Sequence, residues 1–209
     1  IVYCAVGGRS RVAAQLLSGV GFEEVFNLQG GIKAWQGQKA TGPVELNLDL
    51  IKGDEPPGEI LVFAYGLEKG LQTFYLKMIE RSDDSELKDL FQKLADIEEH
   101  HKRKVFELKQ KVDPADIDQE AFEAKIKPEV MEGGFDIETF MEQNASYLST
   151  VQNVLTLAMM LETQALDLYL RFSDKSTNSQ TKEILLEVSQ EEKTHLTALG
   201  RLKEEKSNH

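Results

Sequence analysis

Apolar positions recur at helical spacing over most of the chain, and breaks in the pattern mark where helices stop. The run PGEILVFAYGLEKGLQTFYLKMIER keeps a broad apolar face and predicts a first long helix over 57–81. Pro56 and Pro57 suit its entry, since proline is tolerated at a helix start but not inside one. Ser82-Asp83-Asp84 closes it and caps a second helix that runs to Lys111. A third helix is predicted over 148–173 and a fourth over 178–205. Between the second and third lie Pro114, Pro128, Gly133-Gly134 and an extra helix over DIETFMEQNASYL. Two helical hairpins with short turns, joined by one long crossover, describe a four-helix bundle.

The first forty residues carry a different pattern. IVYC reads as a short buried strand, followed by a Gly-containing loop and a helix that starts at Ser10 with SRVAAQLLSGV. EEVFNL reads as a second short strand, and GGIKAW as a turn into a short helix. From Gly37 to Gly58 the chain holds four Gly and three Pro, the composition of a linker. The predicted division is 1–42, an α/β segment; 43–56, a linker; and 57–209, the bundle.

Charge divides the same way. Residues 1–43 hold four Lys/Arg and two Asp/Glu, a net of +2, whereas the remainder holds twenty and thirty-four, a net of −14. An acidic bundle is a poor partner for nucleic acid or for an anionic membrane surface. No apolar run is long enough to span a bilayer. One Cys excludes an internal disulfide framework, and a reactive thiol suits a reducing compartment, so the cytoplasm is the expected location.

Within the bundle, one triplet occurs twice. Glu68 is followed thirty residues later by Glu98 and three later by His101; Glu162 is followed at the same intervals by Glu192 and His195. Residues three apart on a helix share a face, about 60° apart in projection, so each Glu/His pair can reach one ion. Thirty residues suffice to finish one helix, turn, and return along the next. Glu68 and Glu162 stand in otherwise apolar runs, LVFAYGLEKGLQTFYL and VLTLAMMLETQALDLYL, where a carboxylate is costly to bury unless paired or bound to metal. Four carboxylates and two imidazoles are the donor set of a two-metal site. Tyr75 and Tyr169 each follow the lone Glu by seven residues and share its face. Each is expected to pack in the core or to hold a ligating carboxylate by a hydrogen bond.

The chain here resembles the ferritin-like di-iron carboxylate proteins, and rubrerythrin in particular, over roughly residues 57 to 205. The resemblance implies that Glu98 and Glu192 bridge two metals, that Glu68 and Glu162 bind one each, and that His101 and His195 each cap one. It implies two iron ions, with manganese or zinc fitting the same ligands, and a peroxidase-type reduction of hydrogen peroxide or oxygen. Rubrerythrins usually carry a further Glu where this chain has Ala165, and an iron site built from four Cys, whereas this chain has one Cys in all. The implied electron donor is therefore external, such as a rubredoxin-like protein.

The opening segment resembles the closing half of a rhodanese-like sulfurtransferase domain. Tyr3, Cys4, Gly7, Arg9, Ser10, Ala13, Ala14, Leu17, Gly21, Phe22, Val25, Leu28, Gly30, Gly31 and Trp35 carry the match. A Gly-rich strand-to-helix loop turns backbone N–H groups inward and forms an anion nest that, with Arg9, stabilises a thiolate. The resemblance implies Cys4 as the sulfur-accepting residue, cradled by the backbone from Ala5 to Ser10, with Arg9 lining the pocket. Thirty-seven residues cannot close a core of their own, and a homodimer that exchanges segments is one expectation.

Three functions follow: a di-iron oxidoreductase, a sulfurtransferase or sulfur sensor with the bundle as scaffold, and an iron-storage protein. The fold class expected is mainly α, a ferritin-like four-helix bundle with a long central crossover, preceded by a partial α/β rhodanese-like segment.

Overall fold

A computed structural model describes residues 1–4, 8–32, 51–114, 118–126, 131, 136–144 and 147–207. Its helices are α1 (Gly8–Gly19), α2 (Pro57–Arg81), α3 (Ser85–Val112), α4 (Gln119–Glu123), α5 (Ile137–Asn144), α6 (Val151–Lys175) and α7 (Ser179–Ser207). The chain is mainly helical, as the apolar periodicity predicts.

Capping sets the ends of the four long helices. Pro57 opens α2 after an extended Pro56. The Asp84 side chain accepts from the Leu87 N–H at 3.0 Å and opens α3. Thr150 accepts from the Asn153 N–H at 3.3 Å at the start of α6, and Asn178 from Gln180 and Thr181 at that of α7. The short turns hold α2 against α3 and α6 against α7. The two hairpins then close on each other through α2–α7 and α3–α6 contacts.

The predicted extra helix is α5, from Ile137 to Asn144; Ala145 and Ser146, which it was expected to include, lie outside the described residues. α4 was not predicted. The Asp118 side chain caps it by accepting from the Ala121 N–H at 2.7 Å, and its Phe122 is buried against Tyr65 and Phe106.

The core falls into two apolar layers. One gathers Leu71, Phe74 and Tyr75 of α2, Phe91 and Leu94 of α3, Leu155 and Leu161 of α6, and Leu199 of α7. The other gathers Ile60, Leu61 and Tyr65 of α2, Val105 of α3, Leu168 and Phe172 of α6, and Leu185 of α7. Along every long helix the change from one layer to the other occurs across a predicted ligand: Glu68, Glu98 with His101, Glu162, or Glu192 with His195.

The N-terminal segment differs from expectation in two ways. Its helix starts at Gly8, two residues before the expected Ser10, so Arg9 falls in the first turn instead of preceding it. In place of paired strands, the described residues show one parallel bridge between Val2 and Asn27. The Val2 N–H donates to Phe26 O at 2.7 Å and the Leu28 N–H to Val2 O at 3.0 Å. A strand needs a longer run of such bonds than the single bridge seen among the described residues. Ala5–Gly7 of the proposed anion nest, Lys33–Trp35 of GGIKAW, most of the linker, and His209 lie outside the described residues.

α1 packs on α6, and an ion cluster fastens it there. Asp167 of α6 is wholly buried and meets Arg171 at 2.6 Å and Arg11 of α1. A second strap reaches the α6–α7 turn. The Lys175 ammonium donates to Ile51 O, the Thr177 N–H to Gly53 O at 2.8 Å, and the Thr181 hydroxyl to Glu55 O at 3.0 Å. Among the described residues, no helix is long and apolar enough to cross a membrane.

Candidate metal centre

The six predicted ligands meet between the two apolar layers. Each hairpin contributes one cluster whose donor atoms lie within 4.8 Å of one another: Glu68, Glu98 and His101 in the first, Glu162, Glu192 and His195 in the second. All four carboxylates are buried. In the first cluster His101 Nδ1 lies 3.2 Å from Glu68 Oε2 and 3.0 Å from Glu98 Oε2. In the second, His195 Nδ1 lies 3.6 Å from Glu162 Oε2 and 3.5 Å from Glu192 Oε2. The imidazoles join the clusters: their rings stack with centroids 3.4 Å apart and planes 6° apart.

Helical geometry explains the convergence. Glu98 and His101 occupy one face of α3, and Glu192 and His195 one face of α7, three residues apart in each case. Antiparallel pairing inside each hairpin brings the lone Glu of α2 or α6 to the same level.

The protonation pattern is that of carboxylates held too close together. Burial pushes Glu98 well above the usual carboxylate value, and Glu162 and Glu68 push it the same way. Burial also raises Glu192, reinforced by the charges of Glu68 and Glu162. Burial opposes charge on His101, but Glu98 first and then Glu68 outweigh it and lift the imidazole to about 11. Glu162 moves down: burial would raise it, and the polar groups of His195 and Glu192 beside it prevail.

Several donor atoms are left over. Both oxygens of Glu98, Oε2 of Glu162, Oε2 of Glu192, His101 Nε2 and His195 Nδ1 are buried without a hydrogen bond of good geometry. Unmatched polar atoms are expensive in a protein interior. Oxygen and imidazole atoms that converge without hydrogen-bond partners of good geometry are what divalent metal ions satisfy, so the residues present fit a di-metal site.

Other predicted residues stand as follows. Tyr75 and Tyr169 are fully buried in the apolar layers. Ala165, at the place of the further rubrerythrin Glu, is buried among α6 residues of the second layer. His100 is exposed, one step round the helix from His101. Cys4 and Arg9 are half-buried, and the Ser10 hydroxyl lies 3.6 Å from Cys4 Sγ. Arg9 faces the bundle: burial, and then the charge of Arg9, lower the Lys203 ammonium of α7 below its usual value. Cys4 and Arg9 are not among the six clustered residues.

Two buried charges were not singled out from sequence, Lys102 and Asp167, nor was the half-buried Glu123 with which Lys102 pairs. Asp167 had a signal, since it and Glu162 are the charged residues in VLTLAMMLETQALDLYL. Lys102 stands in EEHHKRK, where nothing separates it from solvated neighbours.

Comparison with known proteins gives two matches. Residues 58–205 match the family model described as a ferritin-like domain, and residues 1–38 match that of a rhodanese-like domain. Searches of curated proteins and of solved structures returned no match.

Proposed function

The chain belongs to the ferritin-like domain family, and from that premise we propose that it is a di-iron carboxylate redox protein that reduces hydrogen peroxide or oxygen. The observation that carries the reading is the pair of buried Glu/Glu/His clusters facing each other across stacked imidazoles. Glu68, Glu98 and His101 would hold one ion and Glu162, Glu192 and His195 the other, with Glu98 and Glu192 shared. Bound iron supplies one-electron chemistry by changing between ferrous and ferric states.

The protein's own contribution is electrostatic and steric. Four buried carboxylates offset the charge of two divalent ions, and they can shift between binding modes as that charge changes. In the metal-free state His101 holds a proton that metal binding displaces. The apolar layers above and below exclude bulk water. His195, 12% exposed against 4% for His101, marks the side from which a small oxidant reaches the centre. Electrons come from an external donor, a rubredoxin-like protein or a small thiol.

The test is anaerobic reconstitution with iron. About two irons per chain are expected, with near-ultraviolet absorption that bleaches with reductant and returns on addition of hydrogen peroxide. Failure to take up iron, or iron that ignores peroxide and oxygen alike, overturns the reading.

A second reading concerns the other end of the chain. The Ser10 hydroxyl beside Cys4 Sγ and the rhodanese-like match favour sulfur transfer at Cys4. Uptake of sulfur from thiosulfate and its release to cyanide should disappear in Cys4→Ser; turnover that survives the substitution removes this reading.

A further inference from the structure

The two clusters have the same ligand types but different surroundings. His101 sits closer to its carboxylates than His195 does, at 3.0 and 3.2 Å against 3.5 and 3.6 Å, and is the more buried. The crossover touches only the first cluster closely among the described residues. α4 ends in Glu123, whose carboxylate accepts from the Lys102 ammonium at 2.9 and 3.0 Å and from the Tyr65 hydroxyl at 2.8 Å. Lys102 directly follows the ligand His101, and Tyr65 stands three residues before the ligand Glu68. One carboxylate therefore ties α2 to α3 within a turn of the ligand each carries.

The neighbours complete the clasp. Lys102 also meets Glu99 at 2.8 Å. Lys69, next to Glu68, donates to the backbone oxygens of Glu123 and Ile126, each at 2.9 Å. Gln119 of α4 bridges the Tyr65 hydroxyl and Glu99, each at 3.3 Å. The second hairpin cannot repeat the arrangement. Where the internal repeat would place the counterparts of Tyr65 and Lys102, it has Met159 and Leu196, which offer neither hydroxyl nor ammonium.

Resting on the two-metal reading above, we propose that Glu123 is a positioning residue for the first half-site. Its clasp makes Glu68–Glu98–His101 the tight metal position and leaves Glu162–Glu192–His195 as the exchangeable one. Ligands already held in place lose less freedom when an ion binds. Residues behind the ligands that orient them contribute to affinity in the same way. The second half-site must order His195 at the moment of binding, and that residue is the more open to solvent.

Anaerobic titration of the full chain with Co²⁺, followed by calorimetry and by ligand-field absorption, tests the proposal. Two resolved steps are expected. His101→Ala should remove the tight step and His195→Ala the weak one. Glu123→Gln keeps the shape and removes the charge; it should weaken the tight step by about tenfold and leave the weak step in place. Glu191→Gln, which breaks the exposed Lys104–Glu191 pair between α3 and α7, should move neither. Two indistinguishable steps in the unaltered protein overturn the proposal. So does a folded Glu123→Gln variant, judged by circular dichroism, that shifts both steps equally or neither. If that variant does not fold, the two His variants decide, since loss of the same step from both overturns the assignment. A chain that binds no Co²⁺ at all sinks the two-metal reading itself, an outcome distinct from two equal steps.

Discussion

A carboxylate in a protein interior is a liability until something positive meets it, and this chain accumulates four around one point. The metal-free molecule meets the cost with protons. Its stability should therefore fall as pH rises. His101 is lifted to about 11 from an ordinary value of 6.5, so its stabilising charge is complete below about 6.5 and is lost toward about 11. Glu98 and Glu192, raised by burial, bind protons in the folded chain that the unfolded chain has already released above 4.5, and the slope has the same sign. The thermal midpoint of the chelated protein should decline steadily from pH 6 to pH 9, and saturating metal should flatten the curve. A metal-free midpoint that climbs over that range contradicts the protonation pattern. Glu162→Ala should lower bound metal from about two ions per chain to about one, read by elemental analysis of the purified variant. At this scale the ligands were legible because a Glu inside an apolar run, repeated with the same partners, has no cheap explanation. Lys102 was not, because its burial depends on α4 folding over it.

The long helices were legible because local rules fix their ends. α2 runs over the predicted 57–81, bracketed by Pro57 and Ser82. Asp84→Ala removes the cap of α3 and should cost about 1 kcal/mol in chemical denaturation. The pieces that were not legible are those held by distant contacts. α4 has five residues, too few for a periodic signal, and exists through its cap and through Glu123 reaching across to α2 and α3. The first strand was predicted from apolar character alone, which cannot say whether a neighbour is there to pair with. Gly53 shows what the strap ahead of α2 demands. Its φ is +106°, and a Cβ there would stand 2.8 Å from Lys175 O. Gly53→Ala should destabilise the fold by about 1–3 kcal/mol, measured as a lower denaturation midpoint; an unchanged midpoint means the strap contributes little.

In the whole molecule, the N-terminal segment and the bundle are joined by charge as well as by packing. Asp167 gathers Arg11 from α1 and Arg171 from its own helix. Removing it leaves two guanidinium groups beside each other at the junction, the costly way to break a buried ion pair. Asp167→Ala should speed hydrogen exchange of α1 amides while metal content stays the same. Loss of metal in that variant would show that the junction reaches the centre. The two-part organisation was legible in the charge asymmetry and in the linker composition. How the parts meet was not, since Asp167 could be recognised as buried but not matched to Arg11, 156 residues away.

The belt of ionisable groups also divides the oily interior into an upper and a lower plug, each made from all four rods. Two ions held there would rivet it at mid-height. Stripped of them it is held by the protons that its carboxylates and His101 keep, so the waist loosens as the medium turns alkaline while both plugs stay dry.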